Sequence, residues 1–143
     1  MTRRMMTTLA AAGLAAGFTA ACATQSAADR AEAQTEAGDA VLADYQATGE
    51  TRSCVSLRSI DEIDPLDATR WLVTMRNGDA YLNEVGSGCR NAASDFTYLQ
   101  YSTPSGRLCS NEIVRVLDRG TDTVSGSCGL GQFQALEPAD PDA

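Results

Sequence analysis

The chain has 143 residues, enough for one domain, and sets nineteen acids against eleven cations, a net charge of −8 at neutral pH. Such a polyanion would have to draw phosphates against its own field, so no nucleic-acid partner is expected. Histidine is absent and every cation is an arginine, which removes Ser-His-Asp and Cys-His catalysis together with lysine bases.

The N-terminus reads Met-Thr-Arg-Arg, then an uncharged stretch from Met5 to Ala21, then Cys22. A basic start, a short apolar run and small residues before a cut site form the three-part pattern of an export signal, assigned to residues 1–21. The run lies at the short end of the ~17–25 residues that a membrane span needs, and its Ala, Gly and Thr make it weakly hydrophobic. Thr19-Ala20-Ala21-Cys22 resembles the bacterial lipobox, departing from it at Thr19, where Leu is usual. That resemblance implies cleavage before Cys22 and acylation of the new N-terminal cysteine. The lipid would hold the protein on a membrane, each buried methylene contributing ~0.8 kcal/mol. Ala23 follows, not the Asp that favours inner-membrane retention, so the expected location is the outer membrane, facing the periplasm. Loss of the signal removes two arginines and no acid, leaving nine cations against nineteen acids and a charge of −10.

With Cys22 assigned to lipid, four cysteines remain: Cys54, Cys89, Cys109 and Cys128. An even set in an oxidising compartment implies two disulfides, with three possible pairings. No two stand at C-x-x-C spacing, and a zinc site would need all four thiolates, so neither metal nor cofactor is expected.

Residues 22–50 read as a lipidated, flexible tether. Part of it, Ala27 to Tyr45, has helical composition, but polar side chains reach every face and no wide apolar stripe exists to bury it. A first strand is expected at Ser53 to Ser59. Ser59-Ile-Asp-Glu62 fits a capping box that would open one helical turn before Pro65. Asp61, Glu62, Asp64 and Asp67 then form an acidic surface loop. Its solvated setting does not suit a carboxyl of raised pKa for acid catalysis, and it lacks the glycine and terminal glutamate of an EF-hand.

Trp71, Val73 and Met75 alternate with Arg70, Leu72, Thr74 and Arg76, after which Asn77-Gly78 predicts a hairpin with positive φ at both positions. The return strand is Ala80 to Val85. A second hairpin runs from Phe96 to Ser102, turns at Thr103-Pro-Ser-Gly106 and returns through Arg107 to Cys109. Glu112 to Asp118, a turn at Arg119 to Thr123, and a last strand around Cys128 to Leu136 complete the set. Residues 137–143, with two prolines and three acids, read as a disordered acidic tail. Residues 51–136 are thus an all-β domain of six to seven strands, a small antiparallel barrel or sandwich with two disulfides. Closing a barrel at its seam favours Cys54–Cys128 with Cys89–Cys109 nested inside. Trp71, Tyr81, Tyr98 and Phe133 are expected in the core or in cross-strand pairs, and Gly129 and Gly131 at a close backbone approach. Tyr98 and Tyr101 fall on opposite faces, so one of them should be exposed and open to a partner.

Arg52-Ser-Cys54, Tyr81-Leu-Asn83, Leu108-Cys-Ser-Asn-Glu-Ile113 and Gly126-Ser-Cys-Gly-Leu-Gly-Gln-Phe133, taken as a set, resemble a family of small Gram-negative lipoproteins known as a domain of unknown function. The resemblance covers roughly residues 50–136, and its most specific elements are the four cysteines and the Ser-Cys-Gly-Leu-Gly-x-Phe ending. The chain departs from it at Ser110-Asn111-Glu112, where a Gly-Asp pair is expected. The family implies the architecture and supplies no activity.

The expected function is therefore a non-enzymatic binding or envelope-structural module with a protein or envelope partner. An alternative is an inhibitor of a cationic cell-wall hydrolase, similar in design to small lipoprotein inhibitors of lysozyme. A third, weaker reading is a hydrolase using Asp61, Asp64 and Asp67.

Overall fold

A computed structural model of the chain describes residues 26–140. The expected export signal, Cys22 and residues 141–143 of the expected acidic tail lie outside them. The described chain runs α1 (Ala27–Leu42), β1 (Tyr45–Arg52), β2 (Cys54–Ser56), a 3-10 turn (Leu57–Ser59), β3 (Ile60–Pro65), β4 (Arg70–Met75), β5 (Ala80–Glu84), β6 (Thr97–Tyr101), β7 (Arg107–Cys109), β8 (Ile113–Asp118), β9 (Val124–Gly129) and β10 (Phe133–Pro138).

Apolar alternation on β4 and β5 sets the centre. Trp71, Val73 and Tyr81, with Phe133 of β10, face Leu108 of β7 and Val114 and Val116 of β8, each 3% exposed or less. Tyr81 and Phe133 meet edge to face, 6.4 Å apart. Leu72 and Ala80 point to the other side of the same sheet, where Leu66, Leu42, Tyr45 and Leu136 cover them. The strands form a five-stranded sheet ordered β1-β10-β5-β4-β3, a three-stranded sheet β6-β8-β9 and a β2-β7 ladder, all antiparallel. Neither sheet closes on itself, so the sandwich, not the barrel, is the architecture formed.

The expected hairpin at Asn77-Gly78 is present, with Trp71 opposite Asn83 and Thr74 opposite Ala80. Of its two turn residues only Gly78 takes positive φ, 91°. Its N–H donates to Met75 O and the Met75 N–H donates to Asp79 O, so the loop is one residue longer than a two-residue turn.

Several expectations are corrected. Residues 45–50 are not tether: β1 pairs with β10 at the edge of the main sheet, and its exposed pattern reflects that edge. Most of α1 is exposed, but its end is docked, with Gly38 buried against Leu66 and Arg70. Arg70 bonds Asp39 at 2.5 Å, Asp67 at 2.6 Å and the Thr35 carbonyl at 3.2 Å, tying helix to sheet. Ten strands replace six or seven, because the expected last strand is two, β9 and β10, and because β1 and β3 form where tether and loop are expected. The 104–106 turn does not make a hairpin: β6 pairs with β8, and β7 pairs with β2. Glu137 and Pro138 are not tail, since they lie in β10 opposite Gln46 and Tyr45.

The nested disulfides are also corrected. Cys54 and Cys109 sit directly opposite in the β2-β7 ladder and are bonded, and Cys89 is bonded to Cys128. The main sheet stays open, with β1 as its end strand beside β10, so there is no seam for Cys54 to close. Cys128 instead lies in β9, whose free edge is covered by residues 86–88 through the Gly86 N–H to Gly129 O and Ser127 N–H to Gly88 O bonds.

Candidate functional site

The end strand of the main sheet, β3, and the end strand of the small sheet, β6, border one groove of about 540 Å³. Among the described residues each of these strands has a ladder partner on one side only, which leaves its other edge open. Ile60, Ile63, Leu99 and Tyr101 form the apolar part of the groove and pack against the main core. Ile60 and Ile63 are three apart, which on a regular strand sends them to opposite faces. The ladder to β4 pairs Ile60 with Met75 and Glu62 with Thr74, leaving Asp61 as an extra residue. That bulge lets both isoleucines reach the core and leaves Asp61, Glu62 and Asp64 exposed. Asp95 adds a fourth carboxylate to the lining, and Arg119 is its cation.

The acidic residues singled out in the sequence therefore divide. Asp61, Glu62 and Asp64 stand on a strand, not in a loop or a capped helical turn, and line the groove. Asp67 is 6% exposed and outside it. Its Oδ1 accepts from Thr69 N–H, Arg70 N–H and the Thr69 hydroxyl, and its Oδ2 accepts from Arg70 Nε. Burial pushes its pKa up, but those hydrogen bonds outweigh burial and hold it below the usual carboxylate value. Asp118 is likewise held low, first by the Thr121 hydroxyl and then by the Gly120 and Thr121 N–H groups. Both carboxylates are parts of turns. Among the described residues no group of three or more His, Cys, Asp or Glu is placed to hold a metal ion.

Trp71, Tyr81 and Phe133 lie in the core as expected. Tyr98 and Tyr101 are both half-buried and both line the groove. The Tyr98 hydroxyl donates to Asp122 at 3.0 Å, and that bond keeps its pKa above the ordinary tyrosine value. The exposed aromatic is Phe96, at 77%, just ahead of β6. Sequence reading missed Asp95 and Arg119 as lining residues. Their signal lies in topology, since they flank β6 and β8 and meet β3 only across the two sheets.

The motifs that looked specific in the sequence are packing devices. Asn83, fully buried, donates to Gly131 O and accepts from Gly131 N–H, both at 2.9 Å. A Cβ on Gly131 would stand 2.2 Å from Glu84 O, so only glycine fits. Gly131 thus meets the expected close approach, whereas a Cβ on Gly129 would meet nothing within 4 Å. Asn111 holds φ at 69°, the left-handed conformation that glycine would adopt without cost, and the Glu112 carboxylate accepts the Cys109 N–H at 2.7 Å. The Asn111 N–H and Leu130 carbonyl then bond at 2.8 Å, joining this turn to the Gly-Leu-Gly segment. None of these residues lines the groove.

No curated protein and no solved structure matches the chain. A family model described as a family of unknown function, DUF6491, matches residues 1–142, nearly the whole length, and the chain belongs to that family.

Proposed function

We propose that the protein is a non-enzymatic binding module of the bacterial envelope, held by lipid on Cys22 at the outer membrane and facing the periplasm. Its groove between β3 and β6 takes an extended, positively charged segment of a partner protein. The observation that carries this reading is the pair of unpaired strand edges bordering one groove with an apolar floor and four carboxylates against one arginine. A strand added to such an edge gains main-chain hydrogen bonds, while alternate side chains reach the floor and the charged rim. An alternating Arg-Val pattern in the ligand would match Ile60 and Ile63 below and Asp61, Glu62 and Asp64 beside them.

The acidic rim also favours the narrower reading of an inhibitor of a cationic cell-wall hydrolase. Such an enzyme would supply both the basic surface and the long-range attraction that speeds encounter.

Isothermal titration of the protein with a short alternating Arg-Val peptide tests the groove. Saturable binding is expected, weakening about tenfold or more when salt is raised and again in Asp61→Asn/Asp64→Asn. Absence of saturable binding, or binding indifferent to both changes, would remove the reading. The anchor is tested separately: Cys22→Ser should release a folded, disulfide-bonded protein from the membrane fraction. Retention on the membrane would contradict lipid attachment.

A further inference from the structure

We propose that a second pocket, on the β2-β7 side of the molecule, is a binding site for a phosphate-type oxyanion, free phosphate or the phosphate of a headgroup. The pocket has a volume of about 460 Å³ and is lined by Arg52, Arg58, Arg76 and Arg107. These are four of the nine arginines among the described residues. Asp79 is the carboxylate in the lining, and it already accepts from Asn77 Nδ2 at 2.9 Å.

The distribution of charge makes this gathering informative. In a protein with nineteen acids and eleven arginines, this one lining gathers four arginines around a single carboxylate. Among the described residues the ion pairs found are those of Arg70 with Asp39 and Asp67. Among the described residues, none of the four pocket arginines has a carboxylate within ion-pairing distance, and none of their guanidinium groups donates a hydrogen bond. Like charges around one cavity repel one another, and an anion in the shared space relieves that repulsion.

The four side chains come from four separate segments on rigid supports. Arg52 ends β1, and its guanidinium carbon lies 5.7 Å from the Tyr81 ring centroid, a cation–π contact that orients it. Arg58 sits in the 3-10 turn. The Arg76 N–H donates to the Ser59 carbonyl at 2.8 Å, fixing the β4-β5 hairpin beside that turn. Arg107 lies opposite Ser56 in the ladder that the Cys54–Cys109 disulfide joins. Val55, Met75 and Tyr81, all at most 9% exposed, give the pocket an apolar base.

Guanidinium is the donor suited to this task. It is planar, always charged and presents forked N–H groups that match oxyanions two at a time. A carboxylate occupies one such fork, whereas a phosphate offers at least three oxygens and up to two charges to several. The volume is within the range of small-ligand sites. The proposal does not depend on the β3-β6 groove, since the two sites share no lining residue.

The test uses the full chain carrying Cys22→Ser, so that no acyl chain contributes to vesicle binding. Inorganic phosphate, acetate, and vesicles of phosphatidylcholine with or without phosphatidic acid are titrated in turn. One phosphate should bind saturably and more tightly than acetate, with about a tenfold loss in each of Arg58→Gln and Arg107→Gln. Arg115→Gln, on β8 and outside the pocket, should bind as the parent does. Binding of phosphate without vesicles supports a soluble ligand, and vesicle binding that needs phosphatidic acid and is competed by phosphate supports a headgroup. Both substituted arginines are exposed, and an unchanged Trp71 fluorescence transition shows that the variants fold. Failure of phosphate and phosphatidic acid vesicles alike to bind, equal affinity for acetate, or an equal loss in Arg115→Gln would overturn the assignment.

Discussion

The β3-β6 groove and the arginine pocket are opposites in charge and in construction. The groove lies between two free strand edges that belong to different sheets, and no disulfide joins its walls. The pocket is built over a ladder closed by Cys54–Cys109 and pinned by backbone bonds to a hairpin. One site offers carboxylates beside a strand edge open to a partner; the other offers guanidinium groups carried on backbone segments that are tied together. The contrast teaches that a net charge of −8 describes the whole and hides a segregated surface. Where the few cations gather says more about ligands than their total.

The largest effect that would sharpen this contrast comes from the disulfides. Cys54→Ala/Cys109→Ala opens a separation of 55 residues, and the chain-entropy relation gives about 4 kcal/mol of lost stability, measurable by urea unfolding. In conditions where that variant still folds, phosphate binding should fall while peptide binding at β3-β6 is kept. Equal loss at both sites would show that the pocket has no special dependence on its ladder.

Next in size is the Asn83 clamp in the core, outside both sites. Asn83→Ala leaves the Gly131 N–H and C=O without their partner in a partly buried position and should cost about 2 kcal/mol. A change below about 0.5 kcal/mol would mean that water replaces the amide.

Acid pH separates the helix attachment from either site. The folded state holds the Asp67 pKa below its unfolded value of about 4, so its contribution is present above that value. It is lost as pH falls through the lower, folded value. The parent should therefore lose stability more steeply than Asp67→Asn below about pH 4, although the variant starts less stable at neutral pH. Parallel acid limbs in urea denaturation would contradict the role given to the Thr69 and Arg70 hydrogen bonds.

The smallest expected effects are on stability at the two ligand sites. Arg58→Gln, Arg107→Gln, Asp61→Asn and Asp64→Asn each alter an exposed charge, and each should change the unfolding free energy by about 0.5 kcal/mol or less. Larger losses would recast these residues as structural.

How much of this was legible follows the range of each signal. The β4-β5 hairpin was readable because its alternation and its Asn-Gly turn are local. The strand β1 was not, since Tyr45-Gln-Ala-Thr-Gly-Glu-Thr-Arg52 has no apolar face and is a strand only because β10 lies beside it. The same long-range pairing decides the disulfides: Cys54 finds Cys109 through β2 and β7, a contact the 103–106 turn disguised by suggesting a β6-β7 hairpin. Asp61, Glu62 and Asp64 were seen as a group from their spacing, but their neighbour across the groove was not. The arginine pocket had no local signature at all. Arg52, Arg58, Arg76 and Arg107 are spread over 56 positions and meet only when the ladder and hairpin are assembled.

The most direct test is an amide chemical-shift map of one isotopically labelled sample titrated first with the alternating Arg-Val peptide and then with phosphate. The peptide should move β3 and β6 resonances, around Asp61 to Asp64 and Tyr98 to Tyr101, and leave the Arg58, Arg76 and Arg107 segments in place. Phosphate should do the reverse. Peptide shifts centred away from both strand edges, or none that saturate, would contradict the account of the groove as the binding site.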